Sequence, residues 1–194
     1  MYISNLQIKN YRNFLDFSIE LKPLTLIIGE NNVGKSNLLD SIGLIFSQDV
    51  SFFKKRQLEV ADFNYNIIQA FKKCILDLEI KPEDIVFPII EVEATLKDWD
   101  EDQEAVIADW FSNKECTEAK LRYVFEPISK FNKTEEIEAQ RSFIAEYKKQ
   151  IGEDKFQALL ESAKLDLLNF PISQYHYTIY GGNKTEGSAN PYHL

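Results

Sequence analysis

Cysteine, histidine and glycine are scarce in this chain, with two, two and seven among 194 residues. Cys74 and Cys116 stand far apart, so the sequence offers neither a disulfide framework nor a cysteine-based zinc site. They are expected to be reduced thiols in a cytoplasmic protein. His176 and His193 are also distant and lack cysteine neighbours, which argues against a metal centre. No apolar run approaches the roughly 20 residues that a membrane helix requires. Met1 to Arg12 alternates polar and apolar residues instead of forming a leader. What remains is 44% apolar, enough for a soluble globular core.

Positive charge is in deficit too. Thirty-one acids against 22 bases give a net charge of −9, which speaks against a free-standing nucleic-acid binder. The excess is local, because residues 91–118 hold ten acids and two lysines, −8 of the −9. The first 60 residues carry seven bases and six acids, so an anionic ligand there meets no general repulsion. Within the acidic stretch, Asp98, Asp100, Asp102 and Glu104 imitate a calcium loop in acid density. The glycine and the terminal glutamate such a loop needs are missing, so a solvated helix start is expected. Lys54-Lys55-Arg56 is too short a run to count as more than surface.

Periodicity gives the coarse layout. Leu6 and Ile8 alternate with Asn5, Gln7 and Lys9, and Leu15, Phe17, Ile19 and Leu21 alternate with Asp16, Ser18 and Glu20. Two antiparallel strands joined by the polar turn Asn10-Tyr11-Arg12-Asn13 follow from that, the second with one buried face. Leu24-Thr25-Leu26-Ile27-Ile28 is continuously apolar, the pattern of a strand buried on both faces. Leu38, Leu39, Ile42, Ile45 and Phe46 then mark one face of a helix. Further strands are predicted over Lys73–Ile80, Phe87–Leu96, Lys120–Glu126 and Ile172–Tyr180. Helices are predicted over Asp100–Ser112, over Thr134–Gln150 with Thr134 as N-cap, and over Asp154–Asn169. The last of these carries a stripe of Phe156, Leu159, Leu160, Ala163 and Leu167. Gly152 separates the final two helices as a C-cap, and Gly181-Gly182 turns the last strand.

One motif carries chemistry. Gly29-Glu30-Asn31-Asn32-Val33-Gly34-Lys35-Ser36 matches G-x-x-x-x-G-K-[ST], between a predicted strand and a predicted helix. A polyphosphate needs many donors without side-chain crowding. Glycines at 29 and 34 allow backbone N–H groups to point inward, and the following helix directs its positive end to the same place. Lys35 then reaches the β- and γ-phosphates, and Ser36 offers a hydroxyl to Mg²⁺. ATP and Mg²⁺ are the implied cofactors. Cys74-Ile75-Leu76-Asp77 is the nearest approach to a second, Mg²⁺-holding acidic strand, but its alternation past Asp77 reads as an ordinary strand. Gln103, Gln140, Gln150, Gln157 and Gln174 are all open as a Mg²⁺-side glutamine.

Ile8-Lys9-Asn10-Tyr11-Arg12-Asn13-Phe14, followed by Leu26 to Ile42 with the phosphate loop inside it, resembles the ABC-type ATPase heads of RecF-like and structural-maintenance-of-chromosomes-like proteins. It looks most like the N-terminal ATPase of the OLD (overcoming lysogenization defect) family. The resemblance covers about residues 1–46. It implies an α/β fold, a P-loop NTPase of the ABC-type head, with an antiparallel β-subdomain and inserted helices. It implies a nucleotide held by Arg12, Gly29, Asn31, Asn32, Gly34, Lys35, Ser36 and Asn37. It also implies pairing of heads into a homodimer or higher oligomer, with DNA as a partner of the parent protein and no membrane. OLD proteins usually add a Toprim nuclease, often in defence against phage. Neither a signature motif nor Toprim acids are found in these 194 residues. The chain is therefore expected to be the N-terminal part of one head. Its segments would be 1–50, 51–130 and 131–194, with the catalytic half lying outside them. A DNA-repair head without nuclease and a nucleotide-sensing module are the alternatives.

Overall fold

The computed structural model describes residues 1–30, 33–47, 57–161 and 167–185. It divides into two compact units. One contains Met1–Asn64, Ile89–Glu126 and His176–Leu194, and the other Tyr65–Pro88 and Pro127–Tyr175.

The first unit is built on a sheet. Strands β1 (Tyr2–Tyr11), β2 (Phe14–Glu20), β3 (Ile90–Lys97), β4 (Ala119–Pro127) and β5 (Tyr175–Gly181) stand in the order β2-β1-β3-β4-β5. Ile8 faces Phe17 on one side and Val92 on the other, and Val92 faces Tyr123, all in antiparallel register. At the far edge, the Gly182 N–H donates to Lys120 O at 2.8 Å, and the Tyr123 and Tyr177 rings stack at 5.6 Å. Period-2 patterning puts Leu6, Ile8, Ile90, Val92, Ala94, Leu121, Tyr123 and Phe125 fully inside. Helix α1 (Lys35–Phe46) packs against β3 and buries Leu38, Ser41, Leu44 and Ile45.

On the other sheet face the charges pair: Lys120 Nζ to Glu93 at 3.1 Å, Lys9 Nζ to Glu91 at 3.8 Å and Arg122 Nη1 to Glu91 at 3.9 Å. Part of the acidic stretch is thus matched by basic residues on neighbouring strands. More of it forms the start of α3 (Glu101–Ile107), where the Asp100 carboxylate accepts from the Gln103 N–H at 2.8 Å. That is the helix start expected in place of a calcium loop.

The second unit is helical, with α2 (Tyr65–Leu76), α4 (Lys133–Ile151) and α5 (Glu153–Glu161). Phe71 packs edge-on to Phe170 and against Phe87, at centroid distances of 5.7 and 4.8 Å. Arg141 of α4 gathers the end of α2. Its Nε donates to Ile75 O at 2.8 Å, and its Nη2 to Cys74 O, Asp77 O and Ile80 O at 3.3, 2.6 and 2.8 Å. One cation thereby satisfies carbonyls that the helix terminus leaves without partners. Gly152, at φ 86°, ends α4 as expected of a C-cap.

Several sequence expectations are corrected. Leu24–Ile28 is not a buried strand: Leu24, Leu26 and Ile28 are 90, 82 and 83% exposed and pair with no strand among the described residues. A doubly buried strand needs a neighbour on each side, and the five-strand order contains no place for it. Lys73–Ile80 is not a strand, because helical spacing of Ile68, Phe71, Lys72 and Ile75 places Lys73 to Leu76 in α2. Asp77, at a helix end, therefore loses its context as a strand-terminal acid. Asn132, not Thr134, caps α4, accepting from the Glu135 N–H at 3.2 Å. Leu39 is 66% exposed, and Leu44 takes the inward place expected of it. In β2, Leu15 is 50% exposed, so the face is only half covered at this sheet edge. The last strand begins at Tyr175, after a 3-10 turn over Ile172–Gln174. Asn31, Asn32, Lys54-Lys55-Arg56, Ala163, His193 and the side chains of Leu159 and Leu160 lie outside the described residues. No helix among the described residues is long and apolar enough to cross a membrane.

Arg141→Ala is expected to lower stability by about 2 kcal/mol, the scale of hydrogen bonds to a charged group. Urea denaturation with and without the substitution measures this; an unchanged midpoint means that the α2 carbonyls are satisfied by water alone.

Candidate functional site: the phosphate loop and the turn beside it

The loop ends where α1 begins. Gly34 is the N-cap at φ 102°, a left-handed conformation that few residues other than glycine adopt. It also has no side chain to cap the helix, so the first N–H groups of α1 are not occupied by an N-cap side chain. A Cβ at Gly34 would lie 2.2 Å from Asn13 Nδ2, and one at Gly29 would lie 3.0 Å from Val33 Cγ2. A side chain is thus excluded at Gly34 by its backbone and by Asn13, and at Gly29 it would require Val33 to give by a few tenths of an ångström. Ser36 is exposed, and its hydroxyl makes no bond among the described residues. Lys35 Nζ turns back to donate to Gly29 O at 2.6 Å and to Glu30 O. An anionic oxygen is a better acceptor than a carbonyl, so a phosphate arriving here competes for that ammonium group.

The β1–β2 turn grips the same place. Asn13 accepts from Asn37 Nδ2 at 2.7 Å and reaches Val33 O at 3.4 Å. Arg12 Nη1 donates to Asn37 Oδ1 at 2.9 Å and to Asp40 Oδ2 at 2.6 Å, while its Nε donates to Asp62 Oδ1 at 3.0 Å. Asn37 and Asp40 are three apart on α1 and so share a face. The turn is held from behind as well. The Arg12 N–H donates to Asp62 O at 2.7 Å, the Asn64 N–H to Asn10 O at 2.8 Å, and Asn64 Nδ2 to Arg12 O at 2.8 Å. These bonds keep Asn10 and Arg12 at φ 58° and 47°, and a non-glycine residue in that region costs about 1–3 kcal/mol.

Burial opposes the charge of Arg12, but the hydrogen bonds to Asp40 and Asp62 outweigh it, and the pKa rises. The guanidinium carbon lies 4.9 Å from the Tyr11 ring centre. Burial raises the Tyr11 phenol well above its ordinary pKa, against the lowering effect of Arg12. Arg12 is therefore a fixed, permanent cation beside the loop.

Of the residues named from sequence, Arg12, Lys35, Ser36, Asn37, Gly29 and Gly34 stand in or beside this loop. Asp62, Asn13, Asp40 and Asn64 complete the arrangement, and no role was read for them from sequence. Asp62 lies 50 positions from Arg12 and outside any motif, so no spacing pointed to it. Of the glutamines, Gln103 closes the start of α3, and Gln140 bonds Glu136 and Asn169 O. Among the described residues no three metal-ligating side chains cluster together.

A family model described as "AAA ATPase domain" matches residues 1–190. The chain is 46% identical over 43 residues to the DNA replication and repair protein RecF of Bacillus cytotoxicus, covering 22% of this chain and 12% of that protein. It is 52% identical over 44 residues to the RecF protein of Bacillus thuringiensis, again 22% and 12%. With the RecF protein of Corynebacterium jeikeium it shares 37% over 46 residues, 23% of this chain and 11% of that one. The matched part thus spans about an eighth of these relatives' length.

Gly34→Ala is expected to cost about 1–3 kcal/mol, because the backbone is strained whatever the side chain does. The Asn13 amide also cannot swing clear without breaking its bonds to Asn37 and Val33. Thermal unfolding measures the loss; an unchanged midpoint contradicts the left-handed N-cap.

Proposed function

The chain belongs to the AAA ATPase domain family, and so to the P-loop NTPases, and on that premise we propose that it is the ATP-binding N-terminal region of a RecF-like, ABC-type ATPase head. The observation that carries this reading is the loop itself: glycines at both ends, Gly34 left-handed, a helix start without a side-chain cap and an ammonium group on loop carbonyls. ATP would lie against the backbone amides of Gly29 to Ser36, Asn31 and Asn32 among them. Lys35 would neutralise phosphate charge, and Arg12 and Asn37 would assist from the side. Ser36 would supply a hydroxyl to Mg²⁺, which when bound neutralises the phosphates and polarises them.

In this reading the parent protein couples ATP binding or hydrolysis to DNA processing in the cytoplasm. Two features support it: the likeness to RecF proteins over 43–46 residues, and the Asn-Tyr-Arg-Asn-Phe turn, which bonds Val33 of the loop and Asn37 at the start of α1. The exposed Leu24, Leu26 and Ile28 support a further part of the proposal. In the parent protein they would be covered by a C-terminal half outside these residues, which would also carry the remaining catalytic motifs. Heads of this kind would pair as a homodimer or higher oligomer around nucleotide. The finer reading is an OLD-like ATPase whose parent carries a Toprim endonuclease and acts against phage; a repair head without nuclease is the alternative. Sequence following Leu194 separates these two, since a Toprim acid pattern favours the first and a long heptad coiled coil the second.

Lys35→Ala is expected to weaken binding of a fluorescent ATP analogue in the presence of Mg²⁺ by about tenfold or more, equivalent to about 1.4 kcal/mol. Equal affinity of the two proteins ends the proposal.

A further inference from the structure

We propose that Asp62 is a positioning residue for the nucleotide site, acting through Arg12; this rests on the phosphate-loop reading above. Asp62 holds Arg12 twice, by its carboxylate to Nε at 3.0 Å and by its backbone carbonyl to the Arg12 N–H at 2.7 Å. The carboxylate is itself fixed, because its second oxygen accepts from the Glu59 N–H at 3.1 Å across a one-turn 3-10 helix, Val60–Asp62. With Nε anchored, Nη1 spans Asn37 and Asp40 on the first turns of α1.

Three of the five guanidinium donors are thereby committed. The Nη2 amino group makes no bond among the described residues, and the side chain is 34% exposed. The result is a cation with its plane fixed and one amino group available to an anion beside the loop. Arginine suits such a task because its fork is rigid and its charge permanent. Without the Asp62 carboxylate, Arg12 keeps the backbone bond from its N–H to Asp62 O but loses its anchor at Nε, and the guanidinium is then held only through Nη1 and can turn about that end.

The sign of the effect distinguishes positioning from simple charge. Asp62 is an anion close to a site for a polyanion, so as a bare charge it repels the ligand, and its removal would tighten binding. As a positioning residue it does the opposite. A second discriminant is coupling: a residue that works through Arg12 has nothing to contribute once Arg12 is gone.

The test is a double-mutant cycle on the full 194-residue chain, read by titrating a fluorescent ATP analogue with Mg²⁺ against the native protein, Asp62→Ala, Arg12→Ala and the double variant. Each single substitution is expected to weaken binding by about threefold or more, and the double variant to match Arg12→Ala within about twofold. Unchanged or tighter binding by Asp62→Ala overturns the proposal, as does a loss that persists in the Arg12→Ala background. If Asp62→Ala does not fold, the same cycle with Asp62→Leu applies the same criteria, since that variant keeps comparable bulk and removes both the acceptor and the charge. Lys35→Ala run alongside separates the two levels. If Lys35→Ala does not weaken binding, the phosphate-loop reading fails; if it does and the cycle is additive, the role of Asp62 alone fails.

Discussion

The guanidinium of Arg12 is the joint on which the site depends. It reaches from the β1–β2 turn to Asn37 and Asp40 on α1 and to Asp62 beyond that helix. Three stretches of chain that are remote in sequence meet there. Asn13, the next residue, lies against Gly34, so the turn that positions the arginine also sets the space available to the loop. Each of these contacts is part-exposed and weak by itself. Their shared geometry is what makes the turn, the loop and the first turns of α1 a single local structure.

The sheet gives that joint a rigid base. Tyr11 is buried at the end of β1 and bridges Phe63, and Asn64 bonds the turn backbone from the same side. The left-handed residues Asn10 and Arg12 are thus held by hydrogen bonds on both sides of the turn. The local strain falls at the point where the side chains must face the loop, a common place for it in binding sites.

Much of this was legible in the sequence, for identifiable reasons. The β1–β2 hairpin, β3, β4 and α4 announce themselves through local periodicity, and Gly152 and the phosphate loop through residue types that few other conformations require. Leu24–Ile28 misled because burial of a strand is decided by its neighbours, and composition alone cannot supply them. Lys73–Ile80 misled because a short apolar run fits either period, and the longer helical register of Ile68, Phe71 and Ile75 prevailed. Asp62 was invisible for a different reason: its role exists only where the fold brings it to an arginine 50 positions away.

The central claim of the proposal is that backbone amides between Gly29 and Ser36 would cradle a polyphosphate, a reading that membership of the AAA ATPase domain family supports. Backbone amide exchange, followed residue by residue with and without Mg²⁺-ATP, tests it most directly. The account predicts slowed exchange at Val33, Gly34, Lys35 and Ser36 when nucleotide is added. Unchanged exchange across the loop, with protection arising elsewhere in the chain, would contradict it.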